Sequence, residues 1–210
     1  MEFVVSKYLW CKYVMFKIVE EFERAIADFY GAPFAVSTDS CTHAIELALR
    51  YQRIKSTTCP AQTYVSIPMT LEKLGLDWSF TNTEWVDYYY LGGTNIIDAA
   101  VYWKQNGYIA GTMMCLSFQF KKHLNLVKGG AILLDNEQDY ITLKKMSFDG
   151  RVPGNDWKQQ DIDTLGYHYY MPIDTASLGL ERLPQAIATI PRQWVSQEYP
   201  YLPNMKVFKK

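Results

Sequence analysis

Three short, unbroken apolar runs constrain this chain more than any other feature. They are Ile96-Ile97, which follow Asn95 and close on Asp98; Met113-Met114-Cys115-Leu116, closing on Ser117; and Ala131-Ile132-Leu133-Leu134, entered through Gly129-Gly130. A strand with one wet face alternates apolar and polar residues, so a run without alternation belongs to a sheet covered on both faces. Helical patterns supply the cover. Met15, Val19, Phe22, Ile26 and Phe29 recur at spacings of four and three, and Gly31 and Pro33 end that stretch. Ala44, Leu47, Ala48 and Tyr51 mark a second helix behind the polar start residues Asp39 and Ser40. Met69 to Leu74 reads as a short helix ended at Gly75, and a fourth runs from after Asn136 to about Ser147. Thr175, Leu178, Gly179, Leu180 and Leu183 make a fifth, which Pro172 introduces. The expected fold class is α/β, a mostly parallel sheet between helical layers.

The other segments are less regular. Phe34 to Ser37 and Trp78 to Phe80 read as short strands, and Cys59 to Ser66, with Pro60, as an extended stretch feeding a loop. Thr81 to Leu91 shows no clean period, and Gly150 to Asp161 is a polar loop. Pro191, Pro200 and Pro203 discourage long regular structure at the end of the chain. With 210 residues and no linker or repeat, residues 1–210 are expected to form one domain, of which 184–210 is a short tail.

Several function classes drop out. Twenty-one Lys/Arg against 22 Asp/Glu leave a formal charge of −1, with no basic excess to neutralise a nucleic-acid backbone. Charges interrupt every apolar run near the start, so neither a signal segment nor a membrane span is expected. Cys11, Cys41, Cys59 and Cys115 are scattered and form no CxxC pair, which suits reduced, mostly buried thiols in a cytoplasmic protein. His43, His123 and His168 lack ligand spacing, so no metal site is expected.

Asp98 and Ser117, each closing an apolar strand, point to one functional edge, since ligands in open α/β sheets sit beyond the carboxyl ends of strands. The loop Ser37-Thr38-Asp39-Ser40-Cys41-Thr42 runs into a helix, and its free backbone N–H groups, with the Ser40 and Thr42 hydroxyls, can hold a phosphate. Taken alone it is also an ordinary polar loop, and Lys121 and Lys122 alone are solvated lysines. Together, a lysine near a phosphate-binding serine and opposite a strand-end aspartate suits pyridoxal phosphate. The amine links to the aldehyde, and the aspartate keeps the pyridine nitrogen protonated.

Five ordered segments carry a resemblance: FERAIADFYGAPFAVSTDSCTHAIELAL, CPAQTYVSIPMTLEKLG, IIDAA, SFQFKKHLNLVKGGAILLDN and GYHYYMPIDTASLGLERL. In this order they resemble the DegT/DnrJ/EryC1/StrS sugar aminotransferases, across Phe22 to Leu183 with a poorly matched middle from Asp77 to Gly93. The resemblance implies the three-layer large domain of a fold-type I pyridoxal-phosphate transferase. It implies that Lys122 links to the cofactor, that Ser117, Cys41 and Thr42 touch its phosphate, that Asp98 binds the pyridine nitrogen and that Tyr64 stacks on the ring. Gln119 stands where histidine is frequent and can still hydrogen-bond. His168 stands where an asparagine reaches the phosphate across a homodimer.

The implied reaction moves an amino group from an amino acid, glutamate, to a keto-sugar, nucleotide-linked. Departures are Val127-Lys128 for a Gly-Glu, Tyr170 for an arginine and Val101 for a polar residue. The changes at Val127, Lys128 and Tyr170 motivate one rival reading, a cofactor binder with altered catalysis, and the many tyrosines suit another, a non-enzymatic interaction protein. Retention of Lys122 argues against the family's dehydratase-like branches, which carry histidine there. Family members continue into a smaller C-terminal domain, which the 27 residues after Leu183 are too few to form, so a reduced form is expected.

Overall fold

A computed structural model describes residues 2–209, with side-chain surroundings from Phe16 onward. Helix α1 (Glu2–Tyr30) ends at Gly31, whose φ of +72° suits a residue without Cβ. It is followed by β1 (Phe34–Thr38), α2 (Cys41–Tyr51), β2 (Ser56–Pro60), α3 (Ser66–Lys73), β3 (Asp77–Thr81) and β4 (Tyr89–Tyr90). Then come β5 (Ile96–Asp98), β6 (Met113–Ser117), β7 (Gly130–Leu134), α4 (Glu137–Ser147) and α5 (Ile173–Ala188). Ser40 and Asn136 cap α2 and α4 by accepting from the backbone N–H groups of His43 and Asp139. The side chains of Cys11 and Met15 lie outside the described residues; Cys41, Cys59 and Cys115 are buried free thiols.

The main sheet has the order β1-β7-β6-β5-β4, and β2 and β3 form a separate parallel pair. The layered α/β expectation holds, but the main sheet is mixed rather than mostly parallel. Only β5 and β6 pair in parallel there, while β7 runs against both β1 and β6, and β4 against β5. The cause is the connection from Ser117 to Gly130. It contains no helix to carry the chain back across the sheet, so β7 returns as an antiparallel neighbour of β6.

Strand alternation sorts the apolar runs into two cores. Ala35, Ile97, Met114, Leu116, Ala131 and Leu133 pack with α1 and α5. Val36, Ile96, Met113, Cys115, Ile132 and Leu134 pack with α2, α3 and α4. Unbroken apolar runs are what two covered faces require. Gly179 lets α5 approach α1 closely, since a Cβ there would lie 2.3 Å from the Phe22 ring. Helix α5 also continues through Pro184, beyond the expected start of the tail at residue 184. Pro184 is exposed, so the carbonyl its missing N–H leaves free can be met by water.

After α5 the chain is a series of bends with 3₁₀ turns at Ser196–Glu198, Leu202–Asn204 and Lys206–Phe208. Among the described residues, no helix is long and apolar enough to cross a membrane.

Candidate active site

The period of two that sorts the cores also places the chemistry. Asp98 follows Ile96 by two residues and Ser117 follows Cys115 by two, so both strand-end side chains belong to the face covered by α2. There they line a cavity of about 600 Å³ together with Ser40, Cys41, Thr42 and Lys122.

Asp98 is buried at the base of this cavity. Its Oδ2 accepts from the Tyr89 hydroxyl at 2.6 Å and its Oδ1 from the Ala100 N–H at 3.0 Å. Thr63 hydrogen-bonds the same Tyr89 hydroxyl, which completes a buried chain. Burial raises the Asp98 pKa above the usual carboxylate value, against the hydrogen bonds from Tyr89 and Ala100 and the charge of Lys122. A carboxylate offers about four acceptor directions, so two bonds leave room for a further donor.

Lys122 sits on the loop between β6 and β7, where its backbone N–H donates to Gln119 O at 2.8 Å. Its Nζ lies 5.5 Å from the centre of the Trp194 ring and, among the described residues, takes no side-chain hydrogen bond. Burial pushes the Lys122 pKa down; Asp98 opposes this, and Lys121 and Arg192 add to it. The cavity therefore holds a partly desolvated amine and a buried carboxylate that do not bond each other.

The third component is the start of α2. Its first backbone N–H groups have no partner within the helix. Gly130 of β7 lies directly beneath, where a Cβ would come within 2.4 Å of Cys41 N. The Gly129-Gly130 pair thus lets the sheet approach the helix start. The Cys41 thiol donates to Cys115 O at 3.5 Å, and burial pushes its pKa well up. The hydroxyls of Thr42 and Ser66 share a hydrogen bond of 2.8 Å. Lys128 lines the same end and pairs with Asp39 at 3.0 Å. Burial opposes ionisation of Asp39, but hydrogen bonds from His43 and Lys128 prevail and hold its carboxyl below the usual range. The residue before Lys128, Val127, has a φ of +68°, a strained value for a β-branched side chain.

Of the residues singled out in the sequence, Cys41, Thr42, Tyr64, Asp98, Ser117, Gln119 and Lys122 all line the cavity. Tyr64 is at its rim, 57% exposed. The Gln119 side-chain oxygen is engaged by the Lys121 N–H at 3.1 Å. His168 is not among the lining residues: it is exposed on the surface and pairs with Asp149 at 3.1 Å.

The sequence did not disclose the wall facing Lys122. Trp85, Asp87 and Tyr89 come from the segment without a period, and Trp194, Glu198 and Tyr199 from the proline-bearing tail. The tail returns to this wall through contacts about 107 residues apart in the chain. No local pattern encodes such contacts, and the tryptophans themselves were the only available signal.

The sequence pattern of the DegT/DnrJ/EryC1/StrS aminotransferase family matches residues 10–89 and 94–197. No curated protein matches the chain. Solved structures share its fold at low identity. AtS13 from Actinomadura melliaura aligns with a TM-score of 0.70 at 21% identity, over 81% of this chain and 60% of its own. The sugar aminotransferase CalS13 from Micromonospora echinospora aligns with a TM-score of 0.66 at 14% identity, over 81% and 61%. DesV from S. venezuelae gives 0.64 at 15%, over 81% and 57%. The chain therefore spans about three fifths of the length of these structures.

Proposed function

Since the chain belongs to the DegT/DnrJ/EryC1/StrS aminotransferase family, we propose that its cavity binds pyridoxal phosphate and transfers an amino group. The donor is an amino acid, glutamate, and the acceptor a keto-sugar, nucleotide-linked. The observation that carries this reading is the meeting of Lys122, Asp98 and the start of α2 in one cavity. The residues fit the group: a carboxylate with spare acceptor capacity, an unbonded amine, and a helix start kept open by Gly130.

When bound, pyridoxal phosphate supplies an aldehyde that takes up amines and a protonated ring that draws electrons from the carbon losing its proton. Asp98 holds the proton on the pyridine nitrogen, and Tyr89 fixes the carboxylate that does so. The α2 amides at Cys41 and Thr42, with the Ser117 hydroxyl, bind the phosphate. Tyr64, at the rim, would stack on the ring, and Gln119 would offer a polar contact. Lys122, whose lowered pKa enlarges its uncharged fraction, moves the α proton of the donor through Nζ.

In this reading residues 1–210 form one cofactor domain of a cytoplasmic protein. It works as a homodimer in which the exposed His168 approaches the cavity of a second copy.

Purified protein titrated with pyridoxal phosphate is expected to gain a visible absorbance band, which Lys122→Ala abolishes. Glutamate is then expected to release 2-oxoglutarate, and a panel of nucleotide keto-sugars to regenerate the band. A band without 2-oxoglutarate identifies a cofactor binder with altered catalysis. No band from folded protein removes both cofactor readings. Full activity of a monomer at the assay concentration removes the shared site.

A further inference from the structure

The amine of Lys122 faces an indole brought from 72 residues further along the chain, and that indole is fastened to neither β6 nor the Lys122 loop. We propose that Trp194 is a specificity-determining residue, its ring limiting the bulk of the molecules that reach Lys122 Nζ. The proposal takes Lys122 as the reacting amine of the function proposed above.

The fastening of Trp194 is local and polar. Its backbone N–H donates to Asp87 Oδ1 at 2.8 Å, and its carbonyl accepts from the Asp87 N–H at 2.9 Å. One residue therefore holds Trp194 on both sides, and it does so from a φ of +62°. Beyond this clasp, Val86 and Val195 form an isolated bridge, and the Ser196 N–H donates to Trp85 O at 3.0 Å. Gln62 Nε2 donates to Tyr199 O at 3.0 Å, and the Trp85 and Tyr199 rings lie 5.3 Å apart. All these anchors belong to segments beside the cavity, so the strap can be released without breaking a ladder of the main sheet.

The ring itself is held from its two neighbours in charge. The Arg192 guanidinium lies 3.4 Å from its centre, and Arg192 is in turn paired with Glu198. The Lys122 ammonium lies 5.5 Å away. Between Lys122 and the strap there is thus an aromatic surface and, among the described residues, no hydrogen bond. An incoming molecule meets an aromatic plane whose backbone is held by Asp87, which admits a slim reactant and resists a bulky one.

Two amine reagents of different bulk, acetic anhydride and trinitrobenzenesulfonate, test this on the full chain. Modification of Lys122 is measured by peptide mass spectrometry, with Lys55, exposed and outside the cavity lining, as the internal reference. Trp194→Ala is expected to raise trinitrophenylation of Lys122 about tenfold or more, the scale on which pockets separate molecules by size, and to change acetylation far less. Trp194→Phe keeps an aromatic plane and is expected to stay near the wild type. Asp87→Ala leaves the indole but opens its clasp, and is expected to move in the direction of Trp194→Ala. It carries the test if circular dichroism shows that Trp194→Ala does not fold.

An unchanged rate with the bulky reagent overturns the proposal. So does an equal rise with both reagents, which would signal general loosening. The labelling needs no cofactor, so a wild type that takes no pyridoxal phosphate would defeat the proposed function through a separate measurement.

Discussion

Two of the acid–lysine sets among the described residues are built on opposite plans. In one, Glu23 of α1 meets Lys144 of α4, and its Oε1 also accepts from the Ser37 N–H and hydroxyl, both at 2.7 Å. In the other, Asp98 and Lys122 share a cavity, yet Asp98 is bonded by Tyr89 and Ala100, and Lys122 Nζ rests near an aromatic ring. The first set is closed: its charges satisfy each other and tie α1, β1 and α4 together. The second is open, with an amine kept available. On the proposed function, charges committed to stability are paired, whereas those used in the chemistry stay free to change partners.

The closed set gives the largest expected effect on stability. Glu23→Ala removes the acceptor of Ser37 and leaves the Lys144 ammonium, only 15% exposed, without its partner. The expected loss is about 3–5 kcal/mol in denaturant unfolding, the usual result of removing one half of a buried pair. A loss below about 1 kcal/mol, the level of a surface pair, would break the contrast between the two sets. One feature tempers the first set: Glu23 Oε2 is buried and has no hydrogen-bond partner among the described residues.

The two sets were unequally legible in the sequence. Asp98 and Ser117 could be found because apolar strand runs end at them, and Lys122 because the order of motifs resembles a family. Glu23, next to Phe22 in an amphipathic helical stretch, carries no mark of its own in the sequence; the approach of α4 to β1 makes it an interior residue. The helices were legible for local reasons, such as the caps Ser40 and Asn136 and the stop at Gly31. The direction of β7 was not, because apolar runs report burial and not strand polarity. Nor was the wall of Trp85, Asp87, Trp194 and Tyr199, which rests on pairings between two aperiodic segments distant in the chain.

An intermediate effect is expected where the open set leans on its supports. Tyr89→Phe removes the hydroxyl that donates to Asp98 Oδ2 and leaves that oxygen buried. The expected cost is about 1.5–3 kcal/mol, as for a hydrogen bond to a charged group. Because the Tyr89 bond lowers a pKa that burial has raised, losing it should move the Asp98 pKa further up. Stability measured against pH then distinguishes the variant. An acid with a raised folded pKa releases its proton more readily when unfolded, so its contribution falls as pH rises from about the ordinary 3.8 through the folded value. In Tyr89→Phe that decline should extend to higher pH; a coincident profile would show that Tyr89 does not tune Asp98.

The smallest effect should have the opposite sign. Lys122→Met keeps a long unbranched chain but removes the amine that burial disfavours in its charged form. In the cofactor-free protein it is expected to stabilise by roughly 0.5–2 kcal/mol near neutral pH, a familiar consequence of relieving a site built for function. The folded Lys122 pKa lies below its ordinary 10.5, so between the two values the unfolded chain binds more protons. Wild-type stability relative to Lys122→Met must therefore rise with pH across that window, and the advantage of the variant should disappear above about 10.5. Paired thermal melts at neutral and alkaline pH measure this. If the substitution costs stability as Glu23→Ala does, Lys122 is a closed structural charge, and the distinction between the two sets fails at the residue on which the proposed chemistry depends.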